Sequence, residues 1–125
     1  MTKCILVIDD EPGIRQVIQV TFKVLTSWET LIAADCPAGI ALAESRQPDA
    51  ILLDVMLPGM DGITAFHRMR ENPVTRSIPV ILLTAKTGAG ERARFAKLPI
   101  AGMITKPFTA PELVRQTRSI LNWPD

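Results

Sequence analysis

Read from its start, the chain alternates short, nearly uninterrupted apolar runs with longer stretches in which apolar residues recur every three or four positions. The runs "CILVI" (4–8), "TLIAA" (30–34), "AILLD" (50–54), "PVILLT" (79–84) and "GMIT" (102–105) are too short for helices. They also lack the strict alternation of half-exposed strands, so they predict strands covered on both faces. Between them, "IRQVIQVTFKVL" (14–25) predicts a helix with Ile14, Val17, Ile18, Phe22 and Leu25 on one face. "PAGIALAESRQ" (37–47) predicts a second, with Pro37 near its start, where proline is tolerated. "DGITAFHRMREN" (61–72) predicts a third, with Ile63, Phe66 and Met69 turned inward. "GERARFAKL" (90–98) has the thinnest apolar signal, with Pro99 at its end. "TAPE" (109–112) is a capping box, Thr109 as N-cap and Glu112 three residues on, and opens a fifth helix whose buried stripe is Leu113, Ile120 and Leu121.

Strand–helix alternation with near-continuous apolar strands means an α/β domain, a doubly wound parallel sheet with helices on both faces. With 125 residues and no repeat or linker, residues 1–125 are expected to form one domain. The chain ends soon after the fifth helix, in "NWPD", so no output domain is expected within it. A net charge of +1 provides no electrostatic case for nucleic acid or an anionic membrane. No apolar run approaches the ~18 residues of a membrane span. The start "MTKCILVIDDEPG" lacks the layout of a signal peptide, which makes the cytoplasm the expected compartment. Cys4 opens the first strand and Cys36 follows the second, roughly 20 Å away at ~3.3 Å per residue, so two free thiols are expected. Two cysteines and the lone His67 make no zinc set.

In an open parallel sheet, sites form beyond the carboxyl ends of the strands. There the first strand delivers Asp9, Asp10 and Glu11, the third Asp54, the fourth Thr84, and the fifth Lys106-Pro107. Singly, each is an ordinary loop or cap residue, and Asp10 could cap the first helix. Together they change the picture. Asp9, Asp10 and Asp54 crowded at one edge would raise one another's pKa unless neutralised. A divalent hard cation plus Lys106 balances them, and Mg²⁺ suits oxygen ligands. A carboxylate nucleophile, a metal, an amine and a hydroxyl together suit phosphoryl transfer.

The motifs "VIDDEP", "LLDVMLPGMDG", "ILLTA" and "KPF", in this order and spacing, resemble the receiver domain of response regulators, the phosphoacceptor half of two-component signalling. The resemblance covers essentially the whole chain. It implies a flavodoxin-like sheet of strand order 2-1-3-4-5. It implies that Asp54 accepts a phosphoryl group from a phosphohistidine of a sensor histidine kinase or histidine phosphotransfer protein. The domain would catalyse only its own phosphorylation and dephosphorylation and would signal to an unknown downstream protein. It further implies Mg²⁺ (or Mn²⁺) ligated by Asp10, Asp54 and the Met56 carbonyl, with Asp9 acting through water. Thr84 and Lys106 would contact phosphoryl oxygens, helped by the backbone N–H groups of Met56 and Ala85, and Lys106-Pro107 would be cis. A phosphodonor-facing surface is expected from Ile14, Arg15 and Ile18 with Pro107 and Phe108. The turn "LPGMDG" would lead the chain away from Asp54 to leave access.

Two departures stand out. Many receivers carry Tyr or Phe three residues before the lysine as a switch; here that position is Met103. Ala101 and Gly102 replace an acidic pair common in DNA-binding regulators, so their dimer face is not expected. The loop "TAKTGAG" (84–90), with Gly88 and Gly90, is expected to move as Thr84 responds, with Met103 following by a graded shift. Two other classes fit poorly. An FMN module would need a phosphate-cradling loop where "DDEPG" places acids. A dehalogenase-like phosphatase would need an acid two residues past its nucleophile, where Met56 stands. A receiver-like interaction module that never takes phosphate is the third alternative.

Overall fold

The computed structural model of the protein describes residues 2–56, 61–85 and 89–123, without the side chains of residues 89–92. The proposed turn at 57–60 and residues 86–88 of the glycine-containing loop, Gly88 among them, lie outside the described residues. The elements are β1 (Cys4–Ile8), α1 (Pro12–Leu25), β2 (Glu29–Ala33), α2 (Cys36–Arg46), β3 (Ala50–Asp54), α3 (Gly62–Glu71), β4 (Val80–Ala85), α4 (Ala89–Ala96), β5 (Gly102–Lys106) and α5 (Ala110–Leu121). The strands form one parallel sheet in the order β2-β1-β3-β4-β5, as expected.

The pleat divides the apolar strands between two cores, because successive side chains point to opposite faces. Leu6, Ile8, Ile51, Leu53, Val80 and Leu82 pack with Ala43 of α2, Phe66 and Met69 of α3, and Phe95 of α4. Ile5, Val7, Leu52, Ile81, Leu83 and Ile104 pack with Ile18 and Phe22 of α1 and Leu113 and Val114 of α5. Both faces of the sheet are thus covered, which is why the strands read as unbroken apolar runs. By the same alternation Asp9, Asp54 and Lys106 continue the rows that face α1 and α5, while Thr84 continues the opposite row.

Helix α1 corrects the reading of its buried stripe. Ile18, Phe22 and Thr21 are buried, but Val17 is 52% and Leu25 46% exposed. Apolar residues occupy both sides of this helix, so periodicity alone does not pick the side that faces the sheet. The helix also starts at Pro12, earlier than its apolar pattern, and its N-cap is Glu11 without a side-chain cap bond. Asp10 therefore does not serve as the cap. The caps of α2 and α3 are Asp35, accepting from the Ala38 N–H at 2.8 Å, and Asp61, accepting from the Thr64 N–H at 2.8 Å. Both thiols are free, as expected, with Cys36 buried and its pKa pushed by that burial up to about 11.

The capping box of α5 is closed. Thr109 Oγ1 accepts from the Glu112 N–H at 3.2 Å, and Glu112 Oε1 accepts from the Thr109 N–H at 2.9 Å. Replacing Thr109 with Ala removes the first bond and is expected to cost about 1 kcal/mol. For a domain of this size that lowers the melting temperature by about 4 °C. An unchanged melt followed by circular dichroism would show that the cap adds nothing.

Candidate functional site

The register of the sheet brings the polar strand ends to one edge. Ile8 pairs with Leu53, Asp54 with Leu83, Thr84 with Thr105 and Ala85 with Lys106, so Asp9, Asp54, Thr84 and Lys106 arrive at nearly the same level. Lys106 Nζ lies 2.8 Å from Asp9 Oδ2 and 3.2 Å from Asp54 Oδ2, bridging the two carboxylates. Asp54 Oδ1 accepts the Met56 N–H at 3.0 Å, and Asp9 Oδ1 accepts the Glu11 N–H at 3.0 Å. Both carboxylates are therefore held at each oxygen. Asp9 is 0% and Asp54 4% exposed, whereas Asp10 stands in solvent. The Lys106-Pro107 peptide is cis.

Charge is the dominant feature of this pocket. Carboxylate oxygens of Asp9, Asp10 and Asp54 lie within 4.8 Å of one another. Burial pushes the Asp54 carboxyl above its ordinary value, against the opposing pull of the Met56 N–H and the Lys106 ammonium. Burial draws the Lys106 ammonium down, but the Asp9 hydrogen bond and the Asp54 and Asp9 charges outweigh it and hold it above its ordinary value. Lys106 bridges two of the three carboxylates and the Arg15 guanidinium sits on the Asp9 carbonyl, which still leaves acids in excess of cations in a partly dehydrated place. Like charges so arranged favour the uptake of a cation or a proton. An all-oxygen donor set with one solvent-facing member fits a hard divalent ion that keeps some of its water. At the end of β4, Thr84 Oγ1 is buried and has no hydrogen-bond partner among the described residues. Such an orphaned hydroxyl is costly unless a ligand answers it.

The remaining expected residues divide. Ala85 ends β4 at the exposed rim, and the Met56 side chain is exposed beside Asp54. Ile14 and Phe108 are partly buried against the α1–α5 core, and Pro107 is exposed, so these form a rim. Ile18 does not belong to it: with no exposed surface it is core, because it sits one turn below Ile14 against the sheet. Arg15 is anchored, its Nη1 donating to the Asp9 carbonyl at 2.8 Å. Met103 is half-buried against the α2–α4 core and lines a cavity of about 350 Å³ with Arg115, Gln116, Ser119 and Ile120.

Two residues close to the site escaped the sequence reading. Gly62 starts α3 hard against β3, its N–H donating to the Val55 carbonyl at 3.1 Å. A Cβ there would lie 2.3 Å from the Asp54 carbonyl oxygen. The other is Cys36, whose thiol donates to the Asp61 carbonyl at 3.8 Å, a weak bond joining α2 to the cap of α3. The "DG" pair signals a helix start but not the close approach, which only the fold creates.

Comparison with known proteins agrees with this geometry. The sequence profile described as response regulator receiver domain matches residues 5–118. The response regulator PleD of Caulobacter vibrioides is 38% identical over 122 residues, which are 96% of this chain and 26% of PleD. The chain spans about a quarter to a half of the length of the curated relatives it matches first. Among solved structures, the chemotaxis protein CheY4 of Vibrio cholerae superposes with a TM-score of 0.88 at 25% identity, covering 96% of this chain and 99% of that one. The receiver domain of the sensor histidine kinase PA1611 from Pseudomonas aeruginosa PAO1, solved with magnesium in its active-site cleft, does so with a TM-score of 0.85 at 30% identity, covering 98% and 99%. With its sheet order, its motifs and its profile match in agreement, the chain belongs to the response regulator receiver domain family of two-component signalling.

Proposed function

We propose that Asp54 accepts a phosphoryl group from the phosphohistidine of a sensor histidine kinase or histidine phosphotransfer protein, and that the phosphorylated domain signals by changing which protein it binds. The observation that carries this reading is the posture of Asp54: a buried carboxylate gripped by the Met56 N–H and Lys106, within an acid cluster that has too little positive charge. An Asp54 oxygen forms the new P–O bond while the donor's P–N bond breaks and its electron pair returns to the imidazole. Lys106 and the Thr84 hydroxyl would receive the phosphoryl oxygens as charge shifts onto them. Asp10, Asp54 and the Met56 carbonyl would hold a magnesium ion, with Asp9 reaching it through water. That ion supplies charge neutralisation for the acids and the incoming phosphoryl group. Asp9 is already committed to Lys106 and Glu11, which supports its secondary place.

Ile14, Arg15, Pro107 and Phe108 make the rim that a phosphodonor would meet. Met103 would take up the space released as Thr84 moves. No described helix is long and apolar enough to cross a membrane, and two free thiols fit a reducing, cytoplasmic setting.

The direct test is incubation with acetyl phosphate and Mg²⁺, followed by intact-mass measurement. One added phosphoryl group on Asp54 is expected, and none when Mg²⁺ is chelated. A chain that stays unmodified with metal present would overturn the reading. Replacement of Asp10 with Ala is expected to weaken Mg²⁺ binding by roughly tenfold or more, since loss of even outer-shell partners costs a metal site on that scale. Calorimetric titration checks this; equal affinity in variant and parent would refute the ligand scheme.

A further inference from the structure

Helix α1 begins without the device that starts its neighbours. Asp35, Asp61 and Thr109 cap α2, α3 and α5 through their side chains. Glu11, the N-cap of α1, makes no side-chain cap bond, Pro12 brings no N–H, and Gly13 has nothing within 4 Å of where a Cβ would stand. Little within the turn from β1 to α1 thus holds it in place. Yet this turn carries Asp10, the exposed member of the acid cluster, and no described residue pairs with its carboxylate. Where that carboxylate stands is decided by the backbone beneath it.

Arg15 holds that backbone from outside. In the first turn of a helix the Cα–Cβ bond tilts towards the N-terminus, so a long side chain there runs back over the turn it follows. Arg15 does so across six residues, its Nη1 donating to the Asp9 carbonyl at 2.8 Å. Its own N–H donates to the Glu11 carbonyl at 3.1 Å, so one residue grips the turn on both sides of Asp10. Asp9 is fully buried, and its other groups are engaged: the N–H with the Ala33 carbonyl, Oδ1 with the Glu11 N–H and Oδ2 with Lys106. The carbonyl is the group through which the chain leaves for Asp10. A peptide unit is planar, so fixing the Asp9 carbonyl oxygen fixes the tilt of the plane that ends at the Asp10 Cα.

We propose that Arg15 is a positioning residue for the metal site: it orients the peptide between Asp9 and Asp10 and thereby aims the Asp10 carboxylate at the ion. The inference rests on the magnesium scheme proposed above and adds to it a residue outside the ligand set. Two other roles would leave different signatures. As a charge, a guanidinium beside the acids competes with a cation, and its loss would tighten Mg²⁺ binding. As a contact for a phosphodonor, it would leave Mg²⁺ binding alone. A clamp predicts loss of affinity, since removing a partner that orients a ligand weakens a metal site about tenfold.

The test is calorimetric Mg²⁺ titration of the 1–125 chain. Arg15→Met, which keeps an apolar stem and removes the donors, should weaken binding about tenfold. Arg15→Lys, whose ammonium can still reach the carbonyl, should recover most of that loss. In an Asp10→Ala background Arg15→Met should have little further effect, because it acts through the side chain already removed. A loosened fold would weaken binding in both backgrounds, so the cycle separates aim from general damage. Labelling of Arg15→Met by acetyl phosphate should be slow at limiting Mg²⁺ and recover at saturating Mg²⁺. An affinity unchanged or raised in Arg15→Met, or lowered equally in both backgrounds, overturns the proposal. A parent that binds Mg²⁺ but takes no label overturns the phosphoacceptor reading alone, and the titration still decides on Arg15. A parent that binds no Mg²⁺ overturns the metal scheme and this proposal together.

Discussion

Replacement of Asp54 with Asn is expected to abolish phosphoryl uptake and at the same time to raise the melting temperature in metal-free buffer near neutral pH. The two effects have one origin. Burial holds the Asp54 carboxyl above the pKa it has in the unfolded chain. The folded state therefore keeps its proton to higher pH than the unfolded state does. The stability linked to that proton is fully present below the unfolded pKa and is lost as pH rises through the folded one. At neutral pH the ionised group is a net cost, and Asn removes the charge with almost no change of shape. A melting temperature above the parent's is expected. The gain should shrink in acid, where the parent is protonated too. It should also shrink with Mg²⁺, which stabilises the folded parent by binding it and the variant less. Thermal melts at two pH values with and without Mg²⁺ check the sign, and intact mass after acetyl phosphate checks the chemistry. Full labelling of the variant at another residue, or a melt below the parent's in metal-free neutral buffer, would sink the argument.

Gly62→Ala should be the most damaging single-methyl change considered. The added carbon would lie 2.3 Å from the Asp54 carbonyl oxygen and 2.9 Å from the Val55 Cα. Both obstacles are backbone, so no side-chain rotation relieves them. Either the start of α3 lifts away from the sheet or the end of β3 bends. Overpacking of this kind costs about 3 kcal/mol, roughly 10 °C here. A bent β3 also displaces the proposed acceptor, so acetyl phosphate labelling should slow by at least tenfold at temperatures where the variant remains folded. Gly39→Ala is the contrast. Its new carbon meets side-chain atoms of Ile8, the nearest at 2.3 Å, which can shift without moving a strand end. Equal stability of Gly62→Ala and the parent in urea melts would show that α3 is free to yield.

The fold was legible because its strands are buried on both faces, so each appears as a compact apolar run; β1 and β3 have the bounds their runs predicted. The polar edge was legible because the polar residues at strand ends follow those runs directly. Helix α1 was harder. Its valines make the outer side as apolar as the inner, so periodicity groups Val17 and Leu25 with Ile18 and Phe22. The same ambiguity put Ile18 on a partner surface that its complete burial excludes. Arg15 was read as a surface residue, because nothing in a sequence says that a guanidinium will turn back to the Asp9 carbonyl. Gly62 was missed for a similar reason: its tightness is a property of two segments meeting, not of either one.

The ion pair between Lys106 and Asp9 joins residues 97 positions apart. Its timing during synthesis follows from that separation. A ribosome releases Asp9, Asp10 and Asp54 long before it releases Lys106, and the edge strand β5 docks only on β4. Until then the acid trio lacks the ammonium that bridges it, and distant pairings of this sort close late. A nascent or prematurely terminated chain thus carries the Asp9 and Asp54 carboxylates without the ammonium that bridges them.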